Sequence, residues 1–154
     1  ASANDAFAAA SMSFTSLTVE TADGSFTANG TLTTTASGST VTISSNLLLT
    51  NNTTDETYLT ENLVLTVTDA STSASITLAG RFYHPEFGYV TLSTQTALVI
   101  VLGDQYPSSG KIVATGASNS TVSLTALANT TYQIDIDVTG NGTIESTTTG
   151  AWGA

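Results

Sequence analysis

The sequence predicts an all-β fold, a single antiparallel β-sandwich of the broad immunoglobulin-like or jelly-roll-like kind with an extended N-terminal strand. Three observations carry this reading. Apolar residues alternate with polar ones at period two along almost the whole chain, the signature of half-buried strands. Clusters of Gly, Asn, Asp and Pro punctuate that alternation at roughly 8–14-residue intervals, and no i, i+3, i+4 pattern is sustained anywhere. Finally, 32 Thr and 19 Ser make up a third of the 154 residues. A β-branched Thr on an outward position suits a solvated sheet face better than a helix.

The elements follow in order. Phe26, Ala28 and Leu32 alternate with polar neighbours after the Asp23-Gly24 turn. Val41, Ile43, Leu47 and Leu49 follow Ser37-Gly38; Leu59, Leu63, Leu65 and Val67 make the next apolar face. Ala74, Ile76, Leu78 and Phe82 lead to a turn at His84-Pro85, after which come Val90 and Leu92. The run Ala97 to Leu102 is continuously apolar and reads as a buried central strand. Ile112 and Val113 follow Gly110, then Val122, Leu124 and Ala126. Tyr132, Ile134, Ile136 and Val138 run into Gly140-Asn141-Gly142 and return through Ile144. That makes about ten strands in one domain spanning 17–154, preceded by an extension over 1–16.

Composition narrows the function. Two basic residues against twelve acidic ones leave a net charge of −10. Nucleic-acid binding needs a basic stripe to neutralise phosphates, and Arg81 and Lys111 do not make one. The same balance opposes docking on anionic lipid. Without Cys there is no disulfide, thiolate nucleophile or Cys-based zinc site. No apolar run approaches the ~18–20 residues of a membrane-spanning helix, so no membrane insertion is expected. The opening Ala1-Ser2-Ala3-Asn4, with neither Met nor a basic stretch, leads us to expect a secreted chain whose signal has been removed.

The N-terminal extension is Ala- and Ser-rich. Ala8, Ala10, Met12 and Phe14 form a small-to-large apolar stripe, with Phe7 and Ala9 on the other side. It reads either as a tail leading into the first strand or as a donor strand that completes a neighbouring copy's sheet.

The most organised chemistry lies near the C-terminus. Read from Asp137, the chain spells D-x-T-x-N-G-x-I-E, placing Asp137, Thr139, Asn141 and Glu145 at ligand spacings of a calcium loop with Gly142 at its sharp turn. Thr148 stands where a bidentate Glu would close an EF-hand, and strands flank the loop, so the expectation is a calcium-binding hairpin. Asp135, two residues back on the same strand face, is the candidate extra ligand. The alternative is a plain hairpin turn, for which Gly-Asn-Gly already supplies the positive φ angles.

Catalysis is not expected. His84 is the one histidine, no Ser sits in a G-x-S-x-G elbow, and the Asp135/Asp137 spacing is that of any strand pair. Six N-x-[ST] sequons, at Asn29, Asn51, Asn52, Asn119, Asn129 and Asn141, suit a glycosylated secreted surface.

Two stretches carry a resemblance. Phe82-Tyr83-His84-Pro85-Glu86-Phe87-Gly88-Tyr89-Val90, followed by Pro107-Ser108-Ser109-Gly110, resembles segments of secreted bacterial β-domain proteins. Their C-termini often read D-x-D-G-D-G-x-x-E, which Asp135 to Glu145 resembles with Thr139 and Asn141 substituted. The whole design also looks like subunits of donor-strand polymers such as chaperone–usher pili, TasA-like fibres and calcium-dependent archaeal cannulae. Usher pilins commonly hold a disulfide that this chain lacks. The resemblance implies a cell-surface structural protein, a homopolymer subunit of an extracellular filament; on the donor-strand reading of the extension, Phe7, Ala8, Ala10, Met12 and Phe14 are the polymerisation residues. The alternative is a calcium-dependent carbohydrate-binding or adhesin module, with Tyr83, Phe87, Tyr89, Tyr106 and Trp152 as candidate aromatics.

Overall fold

The computed structural model describes residues 8–21 and 24–153. Ten strands cover most of them: β1 (Ala9–Thr21), β2 (Gly24–Ser37), β3 (Thr40–Asn51), β4 (Thr57–Asp69), β5 (Ser73–His84), β6 (Gly88–Val101), β7 (Ser109–Thr115), β8 (Thr121–Ala128), β9 (Thr131–Asp137) and β10 (Ser146–Ala151). A single 3-10 turn, Ala117–Asn119, interrupts them. All pair antiparallel with their sequence neighbours, giving one ten-stranded sheet in the order β1 to β10. The all-β antiparallel expectation therefore holds.

The topology differs from the expected sandwich. Immunoglobulin-like and jelly-roll folds divide their strands between two sheets through Greek-key crossovers, whereas here every connection is a hairpin and one sheet takes all ten strands. Short turns such as Ser37-Gly38-Ser39-Thr40 return each strand directly onto its predecessor, which favours a meander.

Registers place the side chains. Residues directly opposite in an antiparallel pair share a face. Met12, Leu32, Ser45 and Leu63 lie in one such row, Leu65 opposes Ile43 and Leu78, and Ile76 opposes Val67 and Leu98. Farther along, Leu92, Ala114, Val122 and Ile136 form another row on the same apolar face. The opposite face is rich in Thr and Ser; Thr40 and Thr68 hydroxyls lie 3.1 Å apart across β3–β4.

Strict alternation would put Leu59 with Leu63, Leu65 and Val67. The structure does not, because an extra residue in β4 between Glu61 and Val64 resets its parity. Thr60 then joins Leu63 on the apolar face, and Leu59 opposes Tyr83 on the polar one. Similar irregularities occur in β1 between Phe14 and Leu17, and in β6 between Thr94 and Val99. The β1 irregularity falls at the expected 16/17 boundary, so β1 runs through that boundary as one strand. Likewise, Val90, Leu92 and the Ala97–Val101 segment belong to one 14-residue strand, β6, while Leu102 sits 79% exposed in the following turn.

Short side chains and glycines hold these bulges. Asn29 Oδ1 accepts from Ser16 N (2.8 Å), and Asn46 Oδ1 accepts from Asn62 N (2.7 Å). Thr94 Oγ1 accepts from Leu78 N (2.7 Å) and donates to Leu78 O (2.8 Å). Gly80 and Gly110, at φ +134° and +116°, let the partner backbones at Asn62–Leu63 and Ala97–Leu98 approach where a Cβ would collide. Each bulge thus satisfies backbone groups that the ladder would otherwise leave unpaired.

The core is thin. Among the described residues, Ala28, Leu98, Val113 and Ala126 are the buried hydrophobics, and no large side chain is fully enclosed. The accessible surface is 9303 Å², against about 7,300 Å² expected for a compact monomer of this mass.

Candidate functional site

β9 and β10 form the terminal hairpin, in register from Ser146 opposite Ile136 to Ala151 opposite Thr131. The loop between them folds around Asp137, which is 3% exposed. Its Oδ1 accepts from Gly140 N (2.7 Å) and, more weakly, from the Thr139 hydroxyl (3.4 Å). Its Oδ2 accepts from Gly142 N (2.7 Å). Glu145 closes the loop from the other side: Oε2 accepts from Val138 N (2.8 Å) and Oε1 from the Thr139 hydroxyl (2.9 Å). Asn141 Oδ1 accepts from Thr143 N (2.7 Å), an Asx-type turn. Gly140, at φ +70°, rests against the backbone of Ser118 and Asn119, where any Cβ would collide.

Burial pushes the Asp137 carboxyl up in pKa, but the N–H groups of Gly142, Gly140 and Asn141 and the Thr139 hydroxyl outweigh it. The net result is a pKa below the ordinary carboxylate value. Hydrogen bonds to the charged form are the cause.

The structure places Asp137, Thr139, Asn141 and Glu145 together around one loop. Asp135 stays apart: its Oδ1 accepts from Gln133 Nε2 and Thr147 Oγ1, both at 2.8 Å. Among the described residues no three Asp, Glu or His side chains converge to hold a metal ion. The oxygens a cation would use, on Asp137, Asn141 and Glu145, accept from protein N–H or O–H groups. Gln133 and Thr147 escaped sequence reasoning, because only the β9–β10 register brings Thr147 opposite Asp135.

The second candidate region is β1. Phe7 lies outside the described residues. Ala8, Ala10, Met12 and Phe14 run along β2 of the same chain, with Ala10 opposite Thr34, Met12 opposite Leu32 and Phe14 opposite Gly30. Ala8 O accepts from Ala36 N (2.9 Å). After the bulge, Leu17 and Val19 rejoin the apolar face opposite Ala28 and Phe26. β1 is an edge strand held by β2 alone, with Met12 49%, Leu17 44% and Val19 45% exposed.

The aromatic candidates separate into two groups. Near the β5–β6 turn, His84 stacks on Phe87 (4.6 Å) and meets Tyr58 edge-on (5.2 Å). On the polar face there, Tyr83 and Tyr89 lie 4.8 Å apart, and Arg81 sits over Tyr89 while pairing with Glu61 at 2.8 Å. At the far end of the hairpin Trp152 contacts Tyr132 (4.7 Å) and Tyr106 (6.0 Å), its indole N–H donating to Ala128 O. Trp152 and Tyr106 thus pin β10 and the β6–β7 loop.

Most sequon amides serve local structure. Asn51 Oδ1 accepts from Thr53 N and Thr54 N, while Asn52 Nδ2 donates to Ser25 and Asn129 Nδ2 to Asp104. Asn29 latches the β1 bulge, and Asn119 holds φ +62° in the turn beneath Gly140. Compared with family models, curated proteins and solved structures, the chain matches none.

Proposed function

We propose that the protein is a structural subunit of an extracellular filament at the cell surface, polymerising by exchange of its first strand. The observation that carries this reading is the edge position of β1, whose apolar side chains stand about half exposed beside a single partner strand. Donated to the next copy, β1 would take the register it holds against its own β2: Met12 at Leu32, Phe14 at Gly30, Leu17 at Ala28 and Val19 at Phe26. Main-chain hydrogen bonds supply affinity and alternate side chains supply specificity in this kind of strand addition. A head-to-tail exchange does not close on itself and builds a linear polymer.

Calcium is the second part of the proposal. It would bind the Asp137–Glu145 loop by displacing some of the N–H and O–H donors from the carboxylates, and would lessen the repulsion between subunits of net charge −10. Glycans on the sequons and a low-charge, Thr-rich polar face fit an extracellular location.

The test is negative-stain electron microscopy in calcium and in chelator, with and without excess peptide spanning residues 8–21. The expectation is filaments that shorten when the peptide competes for β2 and fray in chelator. Filaments indifferent to the peptide would refute strand exchange; indifference to chelator would leave Asp137 a turn residue. Monomers throughout would instead favour a carbohydrate-binding or adhesin module, to which Phe87, 75% exposed, and Tyr89, 43% exposed, lend the one specific observation. Glycan-array binding would identify it.

A further inference from the structure

We infer that the apolar face of the sheet is an interface for a second copy of this chain, the two sheets stacking face to face into a two-layer sandwich. This goes beyond strand exchange, because it uses the face of the sheet and not the edge at β1.

Three observations converge on that occupant. The first is area. The surface of 9303 Å² exceeds that of a compact monomer of this mass by about 2,000 Å². That excess is of the order of the ~1,600 Å² total buried in a standard protein interface. Part of the exposed area lies on the apolar face, where Met12, Leu17, Val19, Val41, Leu49 and Val122 are all more than a third exposed.

The second is charge placement. Glu20, Glu61, Asp135 and Asp137 fall on the opposite face by register, as do Arg81 and Lys111. Asp55, Glu56, Glu86, Asp104 and Glu145 lie in the connections. On the apolar face, Asp69 opposite Ala74 and His84 opposite Gly88 stand only at the strand ends. Among the described residues Asp69 is thus the one carboxylate on this face, so two copies carrying −10 each meet through it with little like-charge opposition.

The third is that hydroxyls in the middle of the face are already hydrogen-bonded. Thr60 Oγ1 accepts from Leu47 N (2.9 Å) and lies 2.8 Å from Ser45 Oγ, and Thr94 is bonded at both ends to the Leu78 backbone. No buried side-chain polar atom among the described residues lacks a partner. Removing water from the face leaves these hydroxyls their hydrogen bonds, so their desolvation is offset. A face that meets its own copy is isologous, and sheets packed this way align within about 30° at ~10 Å separation.

The chain has no cysteine, so a single introduced thiol reports one position unambiguously. In β5, Ile76 is half-buried on the apolar face, and its neighbour Thr77 is exposed on the polar face. Full-length Ile76→Cys and Thr77→Cys are treated with a short bis-maleimide at low concentration. Covalent dimer is expected from Ile76→Cys and not from the more exposed Thr77→Cys, with a mass double the 15.7 kDa of the chain. Leu65→Cys and Thr66→Cys in β4 repeat the comparison should Ile76→Cys fail to fold. Equal cross-linking from both faces, or none from the apolar face of a folded chain, would overturn the inference. Cross-linked dimers without filaments would refute strand exchange and leave the stacked face standing. Filaments with no apolar-face cross-link would do the reverse.

Discussion

Gly80→Ala probes the bulge that resets the parity of β4. Gly80 holds φ +134° in β5, where a Cβ would collide with Asn62 O and lie 2.5 Å from Leu63 Cα. Gly38 provides the control: φ is +58° in the β2–β3 turn, but a Cβ there meets nothing within 4 Å. Gly38→Ala imposes the penalty of the left-handed well, about 1–2 kcal/mol, and Gly80→Ala, at φ +134° and outside that well, about 1–3 kcal/mol. Only Gly80→Ala must also push the β4 backbone aside, which adds about 1–3 kcal/mol by analogy with overpacking. For a chain of this size each kcal/mol lowers Tm by about 2–4 °C, so Gly80→Ala should lose about 10 °C and Gly38→Ala about 3–5 °C. Thermal unfolding by far-ultraviolet circular dichroism on dilute protein measures both, because self-association would raise Tm by mass action. Equal losses would refute the argument that close approach of β4, and not φ alone, reserves position 80 for glycine.

Two further outcomes test the terminal hairpin. Asp137→Asn should lower Tm at neutral pH, since an amide presents an N–H to one of the N–H groups that the carboxylate now accepts. The wild-type pKa is lowered in the folded state, so the carboxylate's contribution is fully present above the unfolded value near 3.8 and is lost as pH falls through the lower folded value. The Tm gap between wild type and variant should therefore close in strong acid; a gap constant down to about pH 2 would contradict it. Trp152→Ala removes the contacts to Tyr106 and Tyr132 and the bond to Ala128 O, so hydrogen exchange should accelerate across 146–151 while β4 and β5 stay protected. Uniform acceleration over all strands would place Trp152 in the global fold instead.

Sequence legibility differed from element to element, for physical reasons. Alternation at Phe26-Ala28 and Val41-Ile43 predicts strands because side-chain period two is a local property of extended backbone. It fails at Leu59, where the β4 bulge reverses parity. Bulges depend on how Asn46 and Gly80 meet Asn62 across neighbouring strands, which no local period records. The calcium-like spacing places Asp137 and Glu145 in one loop because the Gly-rich turn is itself local. Asp135 does not join them, since its partner Thr147 arrives through pairing twelve residues away.

By itself, then, the sequence determined an all-β chain with hairpin turns, one acidic loop and a low-charge, hydroxyl-rich exterior. Each of these follows from residue chemistry over a few positions. The tertiary structure alone decided that all ten strands join one meander, leaving an apolar face with little of the chain to cover it. Whether strands close into one layer or two depends on long-range pairing and on the area that can be buried. Alternation is the same in both cases, since a strand's inward side chains look alike whether their cover is the same chain or another copy.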